Sequence, residues 1–117
     1  MLPETEHILP DVLDHAAEAL FRKYDWKDGG WGNAPKFPQS MVIEFLLRRY
    51  HRSGDKLALD MATHALRSMV RGGLYDLIGG GFHRYSVDNQ WLLPHFEKML
   101  YDNTLLIRSY LYAWQIT

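Results

Sequence analysis

DKLALDMATHALRSMVRGG, residues 55–73, is the stretch that decides the fold. Its apolar residues recur at intervals of three and four positions, which is the spacing of one face of an α-helix. Asp55 is a residue type that caps helix N-termini well, and the paired glycines Gly72 and Gly73 end the pattern. The stretch therefore predicts a helix over about residues 56–71.

Three further helices follow from the same spacing on both sides of this stretch. They are predicted over about residues 10–24, 38–52 and 94–117, and the last begins at a proline, which suits the first helical turn. Two glycine-rich connections, residues 25–38 and 72–93, separate the helices, and the alternating segment FHRYSV in the second predicts a loop or a short extended hairpin. We therefore predict an all-α fold of antiparallel αα-hairpins, with about four helices and two glycine-rich loops.

The composition limits the function classes. The chain has 117 residues, 47% of them apolar, which is enough for one domain with a modest core. A net charge of −1 favours neither nucleic acid nor an anionic membrane as a partner, and no apolar run reaches the roughly 20 residues that span a bilayer. The first ten residues lack the charged and apolar regions of a signal peptide. The absence of cysteine excludes a disulfide and fits a reducing compartment, so we expect a cytoplasmic protein.

The predicted last helix has no terminating signal. Ile107, Leu111 and Trp114 continue its apolar face almost to Thr117, without a glycine, a proline or a polar cap. We therefore expect the chain to be part of a longer protein. Apolar faces left by missing helices would then contact those helices or, by self-association, a second copy of the chain.

The residues that carry chemistry are concentrated in IGGGFHRYSVDNQWLLPHFEKMLYDN, residues 78–103. His83 and His95 are candidates for the acid and base of proton transfer at a carbon beside a carbonyl, since imidazole exchanges protons near neutral pH. On the predicted last helix Asp102 falls on the same side as His95, whereas Glu97 falls on another side. The catalytic candidates are therefore His83, His95 and Asp102.

A second group of side chains, in and around the two loops, is suited to binding. Aromatic rings stack on flat ligands and on sugars, and glycines let a backbone approach closely. The binding candidates are Trp31, Tyr85, Asp88, Trp91 and Glu97. A packing interpretation is also open, in which the tryptophans fill gaps where helix ends meet.

Two other functions remain open from the residues alone. Two of the acids Asp88, Glu97 and Asp102 would form a carboxylate pair for glycoside hydrolysis if they faced each other about 5 to 9.5 Å apart across a sugar bond. Alternatively, the polar residues build the core of a non-catalytic structural or interaction domain. We predict no metal and no cofactor, because no His-x-x-x-His or HExxH pattern occurs and the triple glycine lacks the spacing of a dinucleotide-binding or phosphate-binding loop.

Three long motifs resemble the spermatogenesis-associated protein 20 and YyaL family: GGWGNAPKFP (29–38), GGLYDLIGGGFHRYSVD (72–88) and WLLPHFEKMLYDN (91–103). The resemblance extends from about Leu9 to the end of the chain. It implies a thioredoxin-like domain before residue 1, absent from this chain, followed by an (α/α)6 toroid. Residues 1–117 would then be a single domain, the N-terminal part of that six-hairpin toroid.

The resemblance also has implications for function. Such toroids are similar to those of N-acylglucosamine 2-epimerases and six-hairpin glycosidases, and in the epimerases histidines inside the barrel perform acid–base chemistry on a sugar. His83 and His95 are the positions that look most like those histidines. The resemblance thus implies a carbohydrate-binding or carbohydrate-active protein with a sugar-like small molecule as its partner. Alternatively, the chain is a non-catalytic domain that partners the thioredoxin-like module. Four of about twelve helices form only part of a barrel, so we expect the isolated chain to be inactive.

Overall fold

The computed structural model describes residues 10–117, which form four α-helices. These are α1 (Pro10–Lys23), α2 (Ser40–Ser53), α3 (Lys56–Arg71) and α4 (Leu100–Ile116). Within this described range the only β structure is a set of isolated bridges between loop residues. The predicted all-α fold is confirmed, and α1 to α3 begin and end within two residues of their predicted limits. The expectation of no signal peptide in the first ten residues lies outside the described residues, except for its last position.

The boundary predicted for the last helix is wrong. The helix begins at Leu100 rather than at Pro94. The residues before it are extended, because Pro94 forms an antiparallel bridge with Ser86 and the His95 N–H donates to the Tyr85 carbonyl at 2.9 Å. A proline lacks the N–H that a regular ladder needs, so it fits the edge of such a pairing as well as the first turn of a helix.

Helix α2 lies between α3 and α4 and contacts both, while α1 contacts α3. A short turn makes α2 and α3 antiparallel: Gly54 adopts a left-handed conformation with φ +74, and the Asp55 side chain accepts a hydrogen bond from the Ala58 N–H at 3.4 Å. The apolar faces meet in a core whose fully buried members include Leu46 and Leu106. This core is the rigid support on which the two loops are placed.

The two glycine-rich loops pack together through a group that we call the loop clasp, formed by Asp25, Lys36, Ser86, Asp88 and Trp91. Lys36, Ser86 and Trp91 are buried, and the two aspartates are partly exposed. Lys36 and Ser86 exchange backbone hydrogen bonds of 2.7 and 2.8 Å, so each loop fixes the other. The Lys36 Nζ lies 2.7 Å from the Asp25 carboxylate and 5.5 Å from the centroid of the Trp91 ring. The Ser86 hydroxyl donates to Asp88 at 2.7 Å. The clasp therefore joins residues that are more than 50 positions apart.

Gly72 is the place where the backbone comes closest to the clasp. Replacing Gly72 with alanine is expected to lower the free energy of unfolding by about 1–3 kcal/mol, because the added Cβ overpacks the site. That Cβ would lie 2.3 Å from the carbonyl oxygen of Trp91, a backbone atom that cannot rotate away. Denaturant titration measures the loss. Gly79→Ala is the matched control, since its Cβ would meet side-chain atoms, the Asp76 carboxylate and the Lys98 Nζ, and no backbone atom. Equal losses in the two variants would contradict the steric argument.

Helix α4 presents an apolar stripe to solvent. Leu100, Ile107, Leu111 and Trp114 are all exposed, the last with 76% of its surface accessible. They recur at the spacing of one helix face, opposite the face that packs on α2. No helix within residues 10–117 is long and apolar enough to cross a membrane.

Candidate functional site

The predicted site residues are presented by an extended ribbon made of residues 82–87 and 93–97. The Val87 N–H donates to the Leu93 carbonyl at 2.8 Å and the Arg84 N–H donates to the Glu97 carbonyl at 2.7 Å. The register of the pairing changes by one residue around Phe96, as in a β-bulge, which re-aims side chains. The alternation in FHRYSV therefore correctly predicted an extended segment. Its partner, residues 93–97, lies mostly in the region that was predicted as helix.

The ribbon brings together a cationic, an anionic and an imidazole group. The Glu97 Oε1 lies 3.1 Å from the Arg84 guanidinium and 4.0 Å from the His95 Nδ1. The His95 ring stacks on the Tyr85 ring, with centroids 4.8 Å apart and planes 11° from parallel. The predicted separation of Glu97 from His95 is wrong, because both residues precede the helix on which that separation was derived. His95 remains solvent-accessible, with 46% of its side chain exposed.

Asp102 lies in the first turn of α4, near the same cluster. Burial raises the pKa of Asp102, and the nearby Arg84 charge lowers it without cancelling the effect, so the pKa is raised above its ordinary value. The Asp102 charge in turn helps to raise the pKa of Arg84, for which the hydrogen bond to Glu97 is the largest cause. Arg84 is thus the group whose charge acts on Asp102 and whose guanidinium binds Glu97.

His83 lies on the ribbon two residues before Tyr85. Its ring packs edge-on against Phe96, with centroids 5.4 Å apart. Its Nδ1 is buried and has no hydrogen-bond partner within the described part of the chain. A buried polar atom without a hydrogen-bond partner is unusual in folded proteins. Among residues 10–117 no aromatic contact joins the His83 and His95 rings.

The other predicted binding residues have packing partners. The Trp31 indole donates to the Leu20 carbonyl at 2.9 Å, and the Trp91 indole donates to the Gly29 carbonyl at 3.0 Å. Both rings are buried by the described residues, so neither leaves a face open for stacking. Their role as walls of a binding site stays a prediction; the contacts observed are those of loop packing.

The carboxylate of Asp88 is hydrogen-bonded within its own loop. Its carboxylate accepts the Ser86 hydroxyl and the N–H groups of Leu92 and Leu93, at 2.7 to 3.3 Å. Burial raises the pKa of Asp88, but these hydrogen bonds outweigh burial and hold the pKa below its ordinary value. Asp88 is therefore an ionised clamp on the turn, and its oxygens have few lone pairs left for a ligand.

Sequence reasoning missed Arg84 and Lys36. Arg84 lies between two candidates that were chosen, His83 and Tyr85, and could have been found as the one cation inside the alternating segment. Lys36 is completely buried. No local signal indicates this, because lysine in a glycine-rich loop is normally exposed.

The structure also contains concave surfaces elsewhere. One lies between α1 and α2, has a volume of about 560 Å³, and is lined by Leu13, Phe45 and Arg49 among others. Another, of about 480 Å³, lies on α3 beside Trp26. His83 and His95 line neither. No group of three or more potential metal ligands occurs within residues 10–117.

These features define the class of protein: an all-α protein of αα-hairpins whose loops carry a polar ribbon. Comparison with known proteins gives the family. The chain is 46% identical to spermatogenesis-associated protein 20 of Homo sapiens over 111 residues, which are 91% of this chain and 14% of that protein. It is 46% identical to the protein of the same name from Mus musculus over 105 residues, 86% of this chain and 13% of that protein. The chain belongs to the spermatogenesis-associated protein 20 family, as the three motifs predicted.

The chain is also similar to a more distant relative. Uncharacterized protein B0495.5 of Caenorhabditis elegans is 38% identical over 110 residues, covering 91% of this chain and 14% of that protein. The chain therefore spans about one seventh of the length of the curated relatives that it matches. No family model matches the sequence.

Proposed function

We propose that the ribbon forms part of a binding site for a sugar-like small molecule and that His95 exchanges a proton with it. The observation that carries the proposal is the accessible His95 imidazole, stacked on Tyr85 and next to the carboxylate of Glu97. A carboxylate beside an imidazole helps to orient the ring for proton transfer. The similarity of the sequence motifs to toroids related to N-acylglucosamine 2-epimerases supports this reaction class.

The neighbouring groups suit the remaining steps of such a transfer. His95 would take the proton from the carbon beside the carbonyl, and the electron pair left behind would move onto the carbonyl oxygen. Arg84 would stabilise that developing negative charge. His83, on the opposite strand of the ribbon from His95, would return a proton to the carbon. Asp102 would be the carboxyl group close to Arg84, and burial raises its pKa.

The proposal predicts proton exchange that depends on His95. We expect the full-length protein to exchange the hydrogen at the carbon beside the carbonyl of at least one sugar in D2O, and His95→Ala to lower the rate by about 10²–10⁴-fold. Proton NMR of a panel of N-acylated and simple sugars measures the exchange.

His15→Ala is the matched control, since His15 is exposed on α1 and away from the ribbon. It should leave the exchange unchanged. Absence of exchange with every sugar, in a protein shown to be folded by circular dichroism, would contradict the epimerase-type reaction.

A scaffold or interaction role is the second candidate function. It is favoured by Trp31, Trp91 and Asp88, whose polar groups are used within the protein. On this alternative the ribbon stabilises the domain, and a thioredoxin-like module elsewhere carries the chemistry. Glycoside hydrolysis by two of the three acids stays a prediction, and the internal hydrogen bonds of Asp88 make Glu97 and Asp102 the pair to consider.

We also propose a place for the chain in a larger domain. The exposed stripe of α4 would pack against further hairpins of an (α/α)6 toroid, or against a second copy when those hairpins are missing. The short, antiparallel connection between α2 and α3 is the arrangement that such hairpin repeats use. A cytoplasmic location, expected from the absence of cysteine, belongs to the same proposal.

A further inference from the structure

A polar cavity of about 480 Å³ lies on α3, on elements that the ribbon does not use. Its helical wall includes Asp60, His64, Arg67 and Arg71, which recur at intervals of three and four residues. They fall within about 60° of arc on the helix, so their side chains form one stripe. Trp26, from the first glycine-rich loop, forms the edge of the cavity.

The two arginines of this stripe form no ion pair with any residue of the part of the chain that the structure describes. Within residues 10–117 no acidic side chain forms an ion pair with Arg67 or Arg71. Five other arginines do have a carboxylate partner within 4 Å, namely Arg22, Arg48, Arg49, Arg84 and Arg108. Like charges four residues apart on a helix repel each other. A cavity lined by two guanidinium groups that have no carboxylate partner among residues 10–117 therefore attracts an anion, and their planar donors suit phosphate oxygens.

His64 is held so that it can add a third donor. The Tyr24 hydroxyl lies 2.6 Å from the His64 Nδ1. Burial raises the pKa of Tyr24, so the phenol keeps its proton and can donate it to Nδ1. A neutral imidazole that accepts at Nδ1 carries its own proton at Nε2. His64 lines the cavity, so this second nitrogen is the donor left for a bound anion.

Trp26 supplies an aromatic surface beside the anion site. Its ring centroid is 5.7 Å from that of His64 and 4.7 Å from that of Tyr24, where the contact is edge-on. These contacts fix the indole, while 42% of the residue stays exposed. An exposed and immobilised indole is a surface on which a sugar ring stacks, and the Asp60 carboxylate at the end of the stripe is an acceptor for its hydroxyl groups.

We propose that this cavity binds a phosphorylated sugar. The phosphate contacts Arg67, Arg71 and the Nε2 of His64, and the sugar ring lies against Trp26 with a hydroxyl group donating to Asp60. The site is separate from the ribbon, so binding here does not depend on the proton transfer proposed for His95. It adds a second ligand site, selective for anionic sugars, to the same domain.

Calorimetric titration of the full-length protein tests the site with four probes: glucose 6-phosphate, glucose, inorganic phosphate and adenosine monophosphate. We expect glucose 6-phosphate to bind more tightly than the other three. Arg67→Gln combined with Arg71→Gln should weaken its binding at least 10-fold, since two charged contacts are removed, and Trp26→Ala should weaken it while leaving inorganic phosphate unaffected. Arg22→Gln is the matched control for loss of a surface arginine, and it should leave the binding of glucose 6-phosphate unchanged.

Four results would overturn the proposal. Equal affinity for inorganic phosphate and glucose 6-phosphate would remove the role of Trp26 and Asp60. Tighter binding of adenosine monophosphate would make the site one for nucleotides. No binding of any probe by the folded protein, or the same affinity in the double arginine variant, would remove the site altogether.

Discussion

Replacing Trp91 with alanine is expected to lower the free energy of unfolding by about 3–5 kcal/mol, the range for removing a fully buried aromatic side chain. The ring is 1% exposed and its indole N–H donates to the Gly29 carbonyl at 3.0 Å. Gly30 packs so closely that a Cβ there would lie 2.7 Å from the ring. Truncation would thus open a cavity between the two loops and leave a buried carbonyl without its donor.

The Trp91 prediction is tested by denaturant titration of the 117-residue chain with two companion variants. Trp91→Phe keeps most of the apolar volume and loses the indole N–H, so it should cost less, about 1–3 kcal/mol. Trp114→Ala is the control for loss of a tryptophan as such, because Trp114 is 76% exposed, and its effect should stay within about 0.5 kcal/mol. A loss below 1 kcal/mol for Trp91→Ala would show that the clasp does not couple the loops.

The helical part of the fold could be predicted from sequence because several local signals coincide there. In α3 the Asp55 cap, the apolar stripe and the glycines after Arg71 all indicate the same limits, and the structure has those limits. The start of α4 could not be predicted in this way. Pro94 is compatible with a helix start and with an extended edge, and the choice depends on pairing with Ser86, a non-local contact.

In the candidate site, too, features that depend on local sequence could be predicted and features that depend on non-local contacts could not. The types of residue in the ribbon were sufficient to select His95 and Glu97. Their proximity was not predictable, since it follows from the extended conformation that replaced the expected helix. The burial of Lys36 was even harder to predict from sequence, because its partners Asp25 and Asn89 lie 11 and 53 residues away. The chemistry of the loops was therefore partly predictable, and their geometry was not.

Replacing Lys36 with methionine is the second change with a large expected effect. The Lys36 Nζ is completely buried, 2.7 Å from the Asp25 carboxylate and 3.1 Å from the Asn89 carbonyl. Removing one partner of a buried pair costs about 3–5 kcal/mol, because the other charge is left without compensation. We expect the lower end of this range, since the Asp25 side chain is 27% exposed and water can reach it. Denaturant titration of the 117-residue chain measures the loss.

A double-mutant cycle separates the ion pair from the packing of the lysine stem. Lys36→Met combined with Asp25→Asn should cost less than the sum of the two single changes, because the double variant leaves no unpaired charge. Arg22→Met is the matched control, taken from the exposed pair of Arg22 with Glu18, and should cost at most about 1 kcal/mol. Additive losses in the Lys36 and Asp25 variants would mean that the ion pair adds no stability and that Lys36 acts through its stem, the Asn89 carbonyl and the Trp91 ring.

The ion pair between Lys36 and Asp25 should also make the stability of the chain depend on pH in a defined direction. Burial raises the pKa of Asp25, but the hydrogen bonds from Lys36 and from the loop N–H groups outweigh burial, so the pKa is lowered from its ordinary value of 3.8. A carboxyl group with a depressed pKa in the folded state adds stability above the unfolded value, and this contribution is lost as the pH falls through the folded pKa. The stability difference between the wild-type chain and Asp25→Asn should therefore be constant at neutral pH and shrink below about pH 4. A difference that does not change down to pH 2 would show that the carboxylate adds no charge-dependent stability, and the effect of Lys36 would then have to come from its contact with Trp91.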